Sequence, residues 1–141
     1  MPADTSLGPG RFVVYLMYRG DRGYRIGQAM SERPARAGQV QPGVRVRVNQ
    51  EHADKLWILR VCDTRGEATY WESWFAAEYG LPTMCFHAVG RKMSVTDADI
   101  ERLYLGLDTA GRAKALMEDL DLHLEFPHYR PQSGGRRQCL N

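Results

Sequence analysis

Two tyrosines and one glutamate are the residues of this chain whose types and spacing predict chemistry. Tyr15 and Tyr24 lie nine residues apart in two apolar runs, residues 14–17 and 24–27, which a connector with two glycines joins. This pattern predicts a β-hairpin that carries both phenols, and a phenol can transfer a proton. Together with the arginines that follow and with Glu72, the phenols predict a site that cleaves a phosphodiester with the help of one metal ion.

Glu72 is the polar exception on the apolar face of a predicted helix. Residues 65–79 are predicted to be helical, with an N-cap at residues 63–64 and an end at Gly80. Positions 68, 71, 72, 75, 76 and 79 share one face and are apolar or aromatic except for Glu72. Because burial of a carboxylate without a partner is costly, Glu72 is expected either to bind a metal ion or to pair with an arginine at the edge of this face.

The charges of the chain are divided unequally along its length. Residues 11–60 contain ten Lys and Arg against four Asp and Glu, whereas residues 61–126 contain six against twelve. The basic part is expected to face a polyanion, because Lys and Arg supply most non-specific affinity for nucleic acids, and a solvated basic surface is the alternative. The candidate DNA contacts are Arg19, Arg22, Arg25, Arg33, Arg36, Lys55 and Trp74, the last of which lies off the apolar helix face and could stack on bases.

The remaining patterns predict one small domain. Residues 56–62 are typical of a third strand, and residues 31–43, with two prolines and two glycines, predict a long surface loop. Residues 94–121 predict a pair of helices that covers the sheet. The predicted domain spans residues 11–126, with its core at 11–86 and flexible termini at 1–10 and 127–141.

Composition excludes several classes of protein. A length of 141 residues fits one domain with a real hydrophobic core. No run approaches the ~18 apolar residues of a membrane helix, and the N-terminus lacks the residue order of a signal peptide, which predicts a cytoplasmic protein without a membrane partner. Three widely spaced cysteines without a CxxC motif indicate neither a disulfide framework nor a zinc site.

The order of these motifs resembles the GIY-YIG nuclease superfamily over residues 11–86. The resemblance is carried by Val-Tyr-Leu at 14–16, Tyr-Arg-Ile-Gly at 24–27, Gly-Val-Arg-Val-Arg at 43–47, Trp-Ile-Leu at 57–59 and the glutamates at 67 and 72. More narrowly, RxRxxQEHADKLWIL at 45–59 and EATYWESWFAAEYGLPT at 67–83 are similar to endonuclease segments carried inside inteins of bacterial UvrD-type DNA-repair helicases.

The resemblance implies both a fold and an activity. The fold would be α+β, a small antiparallel three-stranded sheet flanked by helices, with a C-terminal helix pair. The activity would be that of an endonuclease that uses Mg²⁺ or Mn²⁺ to cleave double-stranded DNA, as a homing endonuclease fused to an intein splicing domain within a helicase. The alternatives are a non-catalytic DNA-binding module of the same fold and a restriction or repair nuclease.

The resemblance also assigns roles to residues. The catalytic set that it implies is Tyr15, Tyr24, Arg45, Arg47, His52 and Glu72. In this set the glutamate would hold the metal ion, a tyrosine or the histidine would activate water, and one of the two arginines would bind the scissile phosphate. The first motif reads Val-Tyr-Leu instead of Gly-Ile-Tyr, and the late asparagine of the superfamily has no clear counterpart. Thr83 or His87 would have to replace it.

Overall fold

A long β-hairpin forms the centre of the structure. The computed structural model describes residues 7–34, 38–88 and 90–131. Strand β1 (Phe12–Arg19) and strand β2 (Gly23–Met30) pair antiparallel in continuous register. The hairpin that the two apolar runs predicted is therefore confirmed, with a tighter turn than the sequence suggested.

A second, shorter hairpin follows where the sequence predicted only a surface loop. Strand β3 (Glu32–Pro34) pairs antiparallel with strand β4 (Val40–Pro42), and helix α1 (Gly43–Gln50) begins directly after β4. The loop prediction for residues 31–43 is wrong for these segments because both prolines lie at strand ends, where the missing N–H is tolerated. Gly43 is required at the junction with α1, since a Cβ there would overlap the carbonyl oxygen of Met30.

The main sheet is completed by strand β5 (Lys55–Cys62). It pairs antiparallel with the free side of β1, so the strand order is β2-β1-β5. The register between β1 and β5 shifts by one residue between Val14 and Tyr15, which is a β-bulge. The α+β class and the three-stranded antiparallel sheet expected from the sequence are confirmed.

Three helices follow β5, and their ends are set by local caps. They are α2 (Arg65–Tyr79), α3 (Asp97–Leu105) and α4 (Thr109–Asp119). Thr64 accepts a hydrogen bond from the backbone at the start of α2, and Gly80 ends the helix at φ 70°, as predicted. Thr96 and Asp99 form a reciprocal capping box on α3. In the part of the chain that the structure describes, no helix is both long and apolar enough to cross a membrane.

The sheet separates two apolar cores. On one side, Val13, Tyr15 and Met17 pack with α1 and α3; we call this the α1 face. On the other side, Val14 and Leu16 pack with α2 and α4; we call this the α2 face. Because successive strand residues point to opposite faces, each side chain of the hairpin belongs to one core or the other.

Both described ends of the chain pack on the domain, although the sequence predicted flexible termini at 1–10 and 127–141. Leu7 is buried, and the carbonyl of Gly8 accepts a hydrogen bond from Ser31 Oγ at 2.7 Å. Tyr129 is buried, and its backbone bonds to Leu56 of β5. The prediction is wrong for these residues because their partners are distant in sequence. Its remaining parts, residues 1–6 and 132–141, lie outside the described residues.

Gly27→Ala is expected to destabilise the domain. A Cβ at position 27 would lie 2.5 Å from the hydroxyl oxygen of Tyr15, a fully buried residue that pairs with Gly27 across the hairpin. Overpacking of this kind costs about 1–3 kcal/mol, which urea denaturation would measure. Gly66→Ala on α2 is the control, because a Cβ there meets nothing within 4 Å. Equal stabilities of the two variants would contradict the role given to Gly27.

Candidate nucleic-acid interface

A buried ion pair lies on the α1 face. Glu51, the residue at the C-terminal end of α1, is fully buried, and Arg25 of β2 is only 4% exposed. Arg25 Nη1 lies 3.0 Å from Glu51 Oε2. Burial lowers the pKa of Arg25, but the neighbouring Tyr15 and Glu51 raise it by more, so the guanidinium stays charged.

Loop residues after α2 supply the remaining partners of this ion pair. Glu51 Oε1 accepts from the backbone N–H of Phe86 at 3.0 Å, and Arg91 Nη2 lies 3.4 Å from Glu51 Oε2. Arg25 Nη2 donates to the carbonyl of Thr83 at 2.7 Å. Since buried charges are stable only when their hydrogen bonds are satisfied, the pair fixes this loop against β2 and α1.

An open pocket of about 370 Å³ lies next to the ion pair. Its lining consists of Arg33, Arg47, Gln50, His87, Gly90 and Arg91, and no carboxylate belongs to this described lining. The Nε of Arg47 is buried and has no hydrogen-bond partner within the described chain. Three guanidinium groups around one cavity favour an anion, and a phosphate matches the planar fork of arginine. We call this cavity the arginine pocket.

Two histidines lie at the arginine pocket. His87 lines it, and its Nε2 lies 2.9 Å from the carbonyl oxygen of Gln50. The ring of His52 packs against that of His87 with 5.4 Å between the ring centres. His52 has a positive φ of 54°, which is uncommon for a residue other than glycine. The structure thus brings the predicted residues Arg33, Arg47 and His52 together with His87 and Arg91.

The sequence reasoning missed Glu51 and Arg91 and gave His87 only a minor role. Glu51 is next to His52 in the chain, but its burial depends on partners 26 to 40 positions away. Arg91 lies in the segment between α2 and α3. The run Gln50-Glu51-His52 is a signal in the sequence that points to this site.

Tyr15 and Tyr24 do not lie side by side. Odd-numbered residues of β1 and β2 share the α1 face, as in the pair Tyr15 and Gly27, whereas Tyr24 pairs with Tyr18 on the α2 face. Tyr15 is fully buried, and its hydroxyl accepts from Arg25 Nη1 at 3.2 Å. Burial raises the pKa of Tyr24 to about 12. The predicted site with two adjacent phenols is therefore wrong.

Glu72 lies on the α2 face, across the sheet from the arginine pocket. Its Oε1 accepts from the side-chain amide of Gln28 at 2.8 Å, and the same amide donates to Thr69 Oγ1 at 2.9 Å. Gln28 Oε1 is buried and has no partner among the residues described. The carboxylate of Glu72 is an oxygen ligand of the kind that Mg²⁺ takes, but the Gln28 amide turns its N–H and not its oxygen toward it. Within ranges 7–34, 38–88 and 90–131, no group of three acidic, His or Cys side chains could hold a metal.

Four of the predicted DNA contacts bond within the domain. The prediction that Arg25 binds DNA is wrong, because Arg25 is buried in the ion pair with Glu51. Three other predicted contacts donate to backbone carbonyls of their own chain. These are Arg19 to Glu51 at 3.3 Å, Arg22 to Phe86 at 2.9 Å and Lys55 to Leu124 at 3.2 Å.

The other predicted contacts lie at different parts of the surface. Arg33 lines the arginine pocket. Arg45 lies 5.9 Å from the ring centre of Tyr129, outside the pocket lining, so Arg47 is the better placed of the two candidate phosphate ligands. Trp74 is 39% exposed on α2. Arg36 lies outside the described residues.

Breaking the buried ion pair is expected to destabilise the protein strongly. Arg25→Met would leave the buried carboxylate of Glu51 with the N–H of Phe86 and the longer contact to Arg91, and loss of one partner of a buried pair costs about 3–5 kcal/mol. The free energy of unfolding in urea measures this loss. Arg102→Met is the matched control, because Arg102 is exposed and pairs with Asp99 at the surface. A similar stability of the two variants would contradict the importance of the buried pair.

The high pKa of Tyr24 predicts a stability change at alkaline pH. The folded-state pKa of about 12 exceeds the ordinary value of 10.0, so the protonated phenol contributes stability below pH 10 that is lost as the pH rises toward about 12. The unfolding free energy of Tyr24→Phe should fall less over this range than that of the unmodified protein. Parallel curves for the two proteins would show that Tyr24 ionises as an exposed phenol does.

Comparisons of the chain with protein-family models, with curated proteins and with solved structures find no match. The chemistry of the arginine pocket and of Glu72 is therefore interpreted from the residues that form them.

Proposed function

We propose that this chain is a DNA endonuclease domain that holds a phosphate of the DNA backbone in the arginine pocket. The proposal rests on the pocket, in which Arg33, Arg47 and Arg91 surround one cavity. Phosphate contacts of this kind dominate DNA affinity. The excess of Lys and Arg in residues 11–60 and the motif resemblance to GIY-YIG nucleases support DNA as the substrate.

Among the arginines near Glu51, Arg91 can bind a phosphate with the smallest loss of its existing contacts. Its side chain is 31% exposed and lies 3.4 Å from Glu51, whereas buried Arg25 lies 3.0 Å from the same carboxylate oxygen. Because Arg25 already balances the charge of Glu51, Arg91 is a surplus positive charge. A bound phosphate can therefore attract Arg91 without leaving a buried carboxylate unpaired.

The activation of water is assigned to imidazole instead of phenol. Tyr15 is buried behind the ion pair, and Tyr24 lies on the opposite face of the sheet. His87 lines the arginine pocket, and the ring of His52 packs against it with 5.4 Å between the ring centres. Imidazole is the side chain whose unperturbed pKa best suits proton transfer near neutral pH.

A divalent cation does not fit the arginine pocket, because its charged lining residues are arginines and would repel the ion. Glu72 is the carboxylate that the resemblance gives as the ligand of Mg²⁺ or Mn²⁺, and it lies on the α2 face, where its Oε1 accepts from the Gln28 amide. Bound there, the ion would supply positive charge and polarised water on the α2 face. Glu72 is thus a separate position at which metal dependence is tested.

A non-catalytic DNA-binding module is the second candidate. It is favoured by one observation, the position of Glu72 on the α2 face while Arg33, Arg47 and Arg91 form the pocket on the α1 face. A module of this kind would keep the phosphate contacts and lack cleavage.

The narrower proposal is a cytoplasmic homing endonuclease fused to an intein splicing domain within a helicase. It is supported by the motifs at residues 45–59 and 67–83. Such an enzyme would prefer double-stranded DNA that spans the insertion site, whereas a restriction or repair nuclease would cleave it no better than unrelated DNA.

Loss of pocket arginines is expected to weaken DNA binding and its salt dependence. The double variant Arg47→Gln/Arg91→Gln removes two phosphate contacts, so the slope of log K against log salt should fall by about 2. Fluorescence anisotropy with duplex DNA at several salt concentrations measures both quantities. Arg102→Gln removes one exposed arginine from α3 and should leave affinity almost unchanged. Equal losses in the two proteins would contradict a specific role of the pocket.

Cleavage of supercoiled plasmid tests the activity and its metal dependence together. The unmodified protein should nick or cut the plasmid, and Arg47→Gln/Arg91→Gln should lose this activity because the phosphate is no longer held. Glu72→Gln, compared with EDTA treatment, tests the metal site: both should abolish the reaction if Glu72 holds a required ion. DNA binding without cleavage in Mg²⁺, in Mn²⁺ and on insertion-site DNA would establish the binding module instead.

A further inference from the structure

We infer that His87 is the base that takes a proton from the water attacking the bound phosphate. The inference rests on the proposed endonuclease function and adds a catalytic residue to it. It starts from the position of His87 in the lining of the arginine pocket, beside Arg47 and Arg91. His52 is not among the lining residues and packs against the His87 ring.

The contact between His87 and Gln50 decides which ring nitrogen can accept a proton. His87 Nε2 lies 2.9 Å from the carbonyl oxygen of Gln50. A carbonyl can only accept, so this geometry assigns the proton of the neutral ring to Nε2 and the lone pair to Nδ1. A histidine oriented by a backbone carbonyl presents a fixed acceptor at its other nitrogen.

The ring of His87 is held from several sides. Phe86, the preceding residue, donates its N–H to buried Glu51 at 3.0 Å, and the ring of His52 packs at 5.4 Å. The buried ion pair therefore fixes the backbone that carries His87. Four elements around the ring carry titratable or charged groups: Arg33 of β3, Arg47 of α1, Glu51 and His52 after α1, and Arg91 of the loop. Three more charged groups bond to the backbone of Glu51, Phe86 and Ala88, namely Arg19 at the end of β1, Arg22 of the hairpin turn and Asp97 at the start of α3.

The proposed step is a hydrolysis in which atoms and charges balance. The water oxygen forms a bond to phosphorus while one of its protons passes to Nδ1 of His87. The P–O bond to the deoxyribose breaks, and the leaving oxygen takes a proton from another water molecule. Arg47 and Arg91 neutralise the charge on the non-bridging oxygens, which is the role of preorganised donors in phosphoryl transfer. The imidazolium then returns its proton to solvent.

His87→Gln tests this role because the glutamine amide can still donate to Gln50. The measurement is the single-turnover rate of plasmid cleavage at saturating protein, followed across pH. In the unmodified protein the rate should rise with pH, because a base acts only after it has lost its proton. His87→Gln should lower the rate by about 10²- to 10⁴-fold and remove this rise, with DNA affinity unchanged. His123→Gln, an exposed histidine outside the pocket lining, is the matched control and should cleave normally.

His87→Ala is a second variant, and added imidazole should partly restore its cleavage of the plasmid. It also replaces His87→Gln in the test if that variant does not fold. Unchanged rate and pH profile in a folded His87 variant would overturn the inference and leave the endonuclease proposal standing. Loss of cleavage and DNA affinity together would make His87 a binding residue and equally overturn its role as a base. DNA binding without any cleavage by the unmodified protein would instead overturn the endonuclease proposal, and this inference with it.

Discussion

The buried contact between Arg25 and Glu51 is the constraint on which the functional surface depends. It joins β2, the end of α1 and the loop after α2, three segments that the chain order keeps far apart. Neither charge can lose its partners without a large desolvation cost, so the loop has one favoured position. That position puts His87 and Arg91 beside Arg47. The arginine pocket therefore depends on the contacts that stabilise the buried carboxylate of Glu51.

The alternation of side chains along the hairpin determines which residues can act together. The arginines and His87 of the arginine pocket lie apart from Tyr24 and Glu72, which belong to the α2 face. The predicted cluster of tyrosines, arginines and glutamate is not assembled in this arrangement. The guanidinium and imidazole groups of the pocket and the carboxylate of Glu72 therefore lie on different sides of the sheet.

Local signals predicted the hairpin of β1 and β2, β5 and the helices α2 to α4, but not the hairpin of β3 and β4 or helix α1. The bounds of α2 followed from Thr64 and Gly80, because helix caps act through neighbouring backbone groups. Long-range relations could not be predicted in this way. The register of the hairpin puts Tyr15 and Tyr24 on opposite faces of the sheet. The burial of Glu51 depends on contacts with Arg25 and with residues after α2. The packing of the described chain ends likewise depends on distant partners. Arg33, Arg47 and His52 were predicted as site residues, but Glu51 and Arg91 were not.

Titration of the isotopically labelled protein with a short DNA duplex, followed by NMR, tests the central claim most directly. The side-chain resonances of arginine and tryptophan report on the two faces of the sheet separately. A phosphate held in the arginine pocket predicts the largest changes at Arg33, Arg47 and Arg91, with little change at Trp71 and Trp74. Changes confined to the tryptophans of α2, with the three arginines unaffected, would contradict the account and move the DNA-binding surface to the α2 face.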